Sequence, residues 1–123
     1  MTVRWQWPAT GPIYRGFSPE QGSKGLDIGG EVGQPVLAVA AGKVVYSGSA
    51  LKGYGELVIV KHDETYLSAY GYNRRRLVKE GDVVQPGQTI AELGVGPEQK
   101  AELHFEIREN GKPVDPMRFL PAR

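Results

Sequence analysis

The sequence predicts an all-β domain, a β-sandwich of antiparallel sheets joined by short hairpins and without a substantial helix. Three observations carry this. Runs rich in β-branched and aromatic residues recur roughly every ten positions, the spacing of all-β domains. The 17 glycines and 9 prolines are scattered between those runs instead of forming one tract, which marks many tight turns. No segment repeats its apolar residues at the helical period over a useful length.

The elements follow in chain order. Pro35 to Val39 reads as a strand, and Ala41-Gly42 as a reversal into a second strand, Lys43 to Gly48. A loop from Ser49 to Gly55 precedes Glu56-Leu57-Val58-Ile59-Val60-Lys61-His62, the most apolar run. Thr65 to Tyr70 is its expected hairpin partner, and the two should form the sheet centre. Val78 to Ala91 places Gly81 and Gly87 at turns around short strands, a compact meander in which Pro86 stands outside the ladder. The last strand, Ala101 to Arg108, alternates. Leu103, Phe105 and Ile107 point one way and Glu102, His104 and Glu106 the other, so one face is core and the other is free for chemistry. Asp115-Pro116 caps at most one closing helical turn.

Composition bounds the function. At 123 residues the chain is one domain, taken as 1–123. The 15 basic and 14 acidic residues nearly cancel, so neither nucleic acid nor an anionic membrane is an expected target. With no cysteine there is no disulfide or thiolate chemistry. The opening MTVRWQWPATGP lacks the basic and apolar regions of a signal peptide, and no apolar stretch is long enough to span a bilayer.

Four segments carry a resemblance. Lys24-Gly25-Leu26-Asp27-Ile28, Gly33-Gln34-Pro35-Val36, Ala40-Ala41-Gly42-Lys43-Val44 and Leu103-His104-Phe105-Glu106-Ile107, in this order and spacing, resemble the LytM or lysostaphin-like zinc peptidases, which cut peptidoglycan cross-links. The similarity runs from about Trp7 to Leu120 and implies that family's fold, of the barrel-sandwich-hybrid type. It also implies a site built from a histidine four residues before an aspartate and a histidine from a later His-x-His strand. Asp27 matches the aspartate and His104 the second histidine of His-x-His, but Ser23 stands where the first zinc ligand belongs. Glu102 replaces the other histidine of that strand, and Tyr72 replaces the histidine that follows Tyr-x in active members. Catalytic zinc sites keep three protein ligands, and the chain has only 2 histidines, His62 and His104. The expectation is therefore no catalysis, no metal and no cofactor, with Asp27 and His104 kept as a hydrogen-bonded pair.

Within the family the chain is most similar to degenerate amidase activators of the NlpD and EnvC type, the former the nearer. Leu51 to Gly55, Leu67 to Asn73 and the Asn110 to Pro121 ending support this. What this implies is a periplasmic domain, the C-terminal part of an outer-membrane lipoprotein, that activates an N-acetylmuramyl-L-alanine amidase by protein contact during daughter-cell separation. The partner-binding residues implied are Lys24, Ile28, Tyr54, Tyr72, Arg75, Glu102, His104 and Arg108, set in or beside the former catalytic groove. A non-catalytic peptidoglycan-binding module is the alternative.

Other conspicuous residues have plainer readings. His62 is structural, and Tyr46, Tyr66 and Tyr70 are half-buried strand residues. Arg74-Arg75-Arg76 reads as a solvated loop that could meet acidic groups of the partner. Lys79 to Gln88 is similar to turns of biotinyl and lipoyl carrier domains, but no Met-Lys-Met or Asp-Lys-Ala triplet is present to carry the cofactor.

Overall fold

In the computed structural model, which describes residues 3–123, ten strands build one continuous antiparallel sheet. Met1 and Thr2 of the expected 1–123 domain lie outside the described residues. The strands are β1 (Ile13–Arg15), β2 (Leu26–Gly29), β3 (Pro35–Leu37), β4 (Gly42–Gly48), β5 (Glu56–Lys61), β6 (Tyr66–Arg76), β7 (Val83–Val84), β8 (Thr89–Val95), β9 (Ala101–Glu109) and β10 (Lys112–Val114). Only short 3-10 turns, Pro19–Gln21 and Pro116–Arg118, interrupt them, the second capped as expected by the Asp115 carboxylate accepting from Met117 N–H. No helix among the described residues is long and apolar enough to cross a membrane.

The sheet runs β1-β2-β9-β8-β6-β5-β4-β7, with β10 on β9 and β3 on β8. Long β6 changes partner midway. Its first half, Tyr66 to Gly71, pairs with β9, and its second half, Asn73 to Arg76, pairs with β8. The change falls on Tyr72, whose φ of 65° is left-handed. β8 also pairs with the start of β9, so three strands meet pairwise around this residue and the sheet doubles over there. Gly94 makes the approach possible, because a Cβ on it would lie 2.4 Å from the Tyr72 carbonyl oxygen.

Alternation fills the core. Leu103, Phe105 and Ile107 of β9 are fully buried with Leu26 and Ile28 of β2, Val58 and Val60 of β5 and Tyr70 of β6. A hydrogen-bonded relay runs from the surface at Ala41 and His62 into this interior. His62 Nδ1 lies 2.7 Å from the Ala41 carbonyl, His62 Nε2 2.7 Å from Ser68 Oγ, Ser68 Oγ 2.7 Å from the Tyr70 hydroxyl, and the Val39 N–H donates to that hydroxyl at 3.0 Å. Since the Ala41 carbonyl can only accept, Nδ1 carries the proton; Ser68 then donates to Nε2 and Tyr70 to Ser68. His62 is thus structural, as expected.

Four local expectations are corrected. β3 and β4 are not a hairpin: β3 pairs with β8 and β4 with β5 and β7, because Val36, Ala38 and Val39 turn into the core and not along β4. The meander over 78–91 is likewise absent, since β7 joins β4 while β8 joins β3, β6 and β9; Gly81 and Gly87 do sit at turns, with φ of 94° and 78°. Arg74, Arg75 and Arg76 are not a loop but the end of β6, where Arg74 pairs with Glu92 and Arg76 with Glu56. Tyr70 is not half-buried but fully enclosed, its hydroxyl held by the relay.

Candidate functional site

The free face of β9 and its two neighbours build the site. Asp27 stands opposite His104 in the β2–β9 register, and Gly71, Ala69 and Leu67 of β6 stand opposite His104, Glu106 and Arg108. Side chains alternating away from the core therefore form one outer row, His104, Glu106 and Arg108, with Asp27 on one flank and small or aliphatic residues on the other. Above it the loop 49–55 is tied down where the Tyr72 N–H donates to the Tyr54 carbonyl at 2.7 Å. Glycine at 71 leaves room for Tyr54, whose carbonyl oxygen would be 3.1 Å from a Cβ there.

The row is a hydrogen-bonded charge network. His104 Nδ1 donates to Asp27 Oδ1 and His104 Nε2 to Glu106 Oε2, both at 2.7 Å. Arg108 donates to Glu106 Oε1 through Nε at 2.9 Å and Nη2 at 2.7 Å. The Tyr54 hydroxyl donates to Glu106 Oε2 at 2.9 Å and accepts from Arg108 Nη2 at 3.1 Å. Glu106 is fully buried and still ionised, because donors from three side chains satisfy its oxygens.

Burial alone would lower the His104 pKa, but its bonds to two carboxylates override this and raise it to about 9. The ring is an imidazolium. Burial opposes the charge on Glu106 as well, yet His104 and Arg108 hold it below the usual carboxylate range. Two cations and two anions thus close the network. The rings of Tyr72 and Tyr54 flank the imidazolium at centroid distances of 5.5 and 5.8 Å, within cation–π range. Both hydroxyls are raised, first by burial and then by neighbouring carboxylates, so both tyrosines stay neutral.

A cleft of about 220 Å³ opens over this network, lined by Ser23, Lys24, Asp27, Tyr54, Tyr72 and His104 together with Arg15, Lys52 and Glu106. Glu102 lies just beyond, beside Asp27 and Tyr72, its pKa raised by burial and then by Asp27. Arg108 lines an adjoining trough that shares Lys24 and Tyr54 with the cleft. Two expected residues are elsewhere. Ile28 is fully buried in the core, since it alternates with Asp27 on β2. Arg75 is exposed on a separate surface with Arg76, Leu77 and Lys79.

Three residues of the cleft were not singled out from sequence. Glu106 is legible as the next outward position after His104, and Lys52 as the cation beside Tyr54. Arg15 gave no signal, for β1 is short and exposed along its length.

The zinc implied by the resemblance does not fit these donors. Ser23 is almost fully buried, and its hydroxyl faces the Gly16 and Gly25 carbonyls at 2.7 and 3.1 Å. That leaves Asp27 and His104, bonded to each other at 2.7 Å, where a catalytic zinc keeps three protein ligands, and no group of three His, Cys, Asp or Glu side chains among the described residues could hold the ion.

Comparison with known proteins gives the same architecture. Residues 21–116 match the model of Peptidase family M23. The chain is 58% identical over 120 residues to a lipoprotein NlpD/LppB homolog of Pseudomonas aeruginosa, covering 97% of this chain and 40% of that protein. It is 49% identical to the murein hydrolase activator NlpD of Escherichia coli, covering 97% of this chain and 32% of that protein. Among solved structures it is similar to the antimicrobial peptidase lysostaphin of Staphylococcus simulans, with a TM-score of 0.80 and 30% identity over 87% of this chain and 48% of that one. The chain thus spans less than half the length of each of these proteins.

Proposed function

The chain belongs to Peptidase family M23, and from that premise we propose that it is a non-catalytic activator of a periplasmic N-acetylmuramyl-L-alanine amidase, working through protein contact in the degenerate groove. The observation that carries this reading is the donor set: Ser23 is buried against the Gly16 and Gly25 carbonyls, and His104 is bonded to Asp27 and Glu106 at 2.7 Å each. Metal-assisted hydrolysis requires three protein ligands around an ion with an open position, and with Ser23 turned to backbone carbonyls the matching positions supply two, Asp27 and His104. His104 bridges the two carboxylates, leaving a shaped cleft with Tyr54, Tyr72 and Arg15 at its walls, residue types enriched at protein interfaces.

Relatives named murein hydrolase activator support the activator role, and a relative named lipoprotein supports placement of the longer protein in the periplasm at the outer membrane. In this reading the chain is one domain of that longer protein. The groove residues in contact with the amidase are Lys24, Tyr54, Tyr72, Glu102, the exposed edge of His104, and Arg108.

The test is release of dye from labelled peptidoglycan by the amidase, with and without the chain, and by the chain alone. Stimulation by a chain that is silent by itself is expected. Release by the chain alone overturns the non-catalytic reading, and an unstimulated amidase overturns the activator reading. Tyr54→Ala and Lys24→Glu should each lower stimulation about tenfold, the effect of roughly 1.4 kcal/mol at an interface, without changing the circular dichroism.

A further inference from the structure

Beside the cleft, the outer face of β5 and β6 holds an aliphatic trough of about 380 Å³ that the family's catalytic chemistry does not explain. Register places it there. Ile59 stands opposite Ala69, and Leu67 opposite Arg108, all on the face away from the core. Leu51, 45% exposed on the loop 49–55, forms one wall. Lys24, Lys52 and Arg108 line it as well, and it meets the cleft at Lys24, Lys52, Tyr54 and Glu106.

The charges at this junction are unequal in availability. Arg108 is taken up by Glu106, and the anions Asp27 and Glu106 by His104. Lys24 and Lys52 form no ion pair among the described residues. What remains on offer is an apolar slot edged by two uncompensated ammonium groups. A sugar ring carries hydroxyls on most of its carbons, and the floor of the trough, Leu51, Ile59, Leu67 and Ala69, supplies them no polar partner. An aliphatic side chain next to carboxylates matches both features.

We propose that this trough is a second docking subsite, taking a leucine-sized aliphatic side chain of the partner protein with an adjacent aspartate or glutamate on Lys24 and Lys52. The inference rests on the amidase-activator reading and names the chemistry of the segment that seats there. The cleft and the trough together make a continuous surface, so one segment of the partner crosses Tyr54 and anchors on both sides of it.

The test is the affinity of the purified amidase for the wild-type chain and for Leu51→Asp and Lys52→Glu, measured by calorimetry, with retention on purified sacculi measured in parallel. Both positions are exposed in a loop, so the variants should fold, with unchanged circular dichroism and melting. Each should weaken amidase binding about tenfold, and raised salt should weaken the wild type more than Lys52→Glu. Wild-type binding that both variants retain in full overturns the subsite and leaves the activator reading standing. Wild-type chain that does not bind the amidase removes that reading and the subsite with it. Variants that lose sacculus retention while keeping amidase affinity show that the trough takes cell wall, which also overturns the proposal.

Discussion

Asp27 Oδ1 and His104 Nδ1 face each other at 2.7 Å from directly opposed positions on β2 and β9, an ion pair fixed by strand register. With Glu106 on the other nitrogen, this holds the His104 pKa at about 9. Titration by NMR should give an apparent value near 9, with both ring nitrogens protonated at pH 7. A folded value above the unfolded 6.5 means that the stabilisation is fully present below pH 6.5 and is lost as pH rises through 9. The pair of values sets an upper bound of roughly 3 kcal/mol. Urea unfolding at pH 6 and pH 10, compared with the same measurement on His104→Gln, reads it directly; a pH response equal in the two proteins refutes the assignment.

Glu106→Gln preserves shape but leaves His104 and Arg108 beside a neutral amide. Losing one partner of a buried ion pair costs about 3–5 kcal/mol, and this should appear as a lower urea midpoint with unchanged slope. Tyr54→Phe removes one donor of several and should cost only about 1 kcal/mol.

Zinc added in tenfold excess at pH 7 should leave the thermal midpoint unchanged and give no binding heat. A ligand that binds only the folded state must raise that midpoint, so a zinc-dependent rise would show that His104 gives up a proton to a metal.

His62 acts in the opposite pH direction. Burial lowers its pKa, and a second proton on the ring would reverse the relay, leaving the Tyr70 hydroxyl donating toward the Val39 N–H. Its contribution is therefore present above pH 6.5 and is lost as pH falls. Ser68→Ala, which cuts the relay, should cost about 1–3 kcal/mol and reduce the acid sensitivity.

At Tyr72 the usual strand preference should invert. Valine ordinarily outranks glycine in a strand, but at φ 65° a β-branched side chain is strained. Tyr72→Gly should be more stable than Tyr72→Val by about 1–2 kcal/mol in chemical denaturation. The reverse order would mean that the turn at 72 relaxes on substitution.

The alternation of Leu103, Phe105 and Ile107 against Glu102, His104 and Glu106 was readable because period two is local to one strand. The partner of each strand was not. That β3 joins β8 and not β4 depends on which core each apolar run completes, a non-local choice. Ile28 was misplaced by following a motif past the point where pleating turns the chain inward, although its alternation with Asp27 was available in the sequence. Tyr72 was legible as a replaced residue, while its position where the sheet doubles over belongs to pairings between distant segments.

That doubling-over has a consequence for recognition. Tyr72 and Tyr54 are held by backbone geometry and by the bond between the Tyr72 N–H and the Tyr54 carbonyl, so the walls of the cleft need no ion to keep them apart. A partner arriving at such a surface meets rings already ordered and gives up little conformational entropy in ordering them. Affinity there can follow from few contacts.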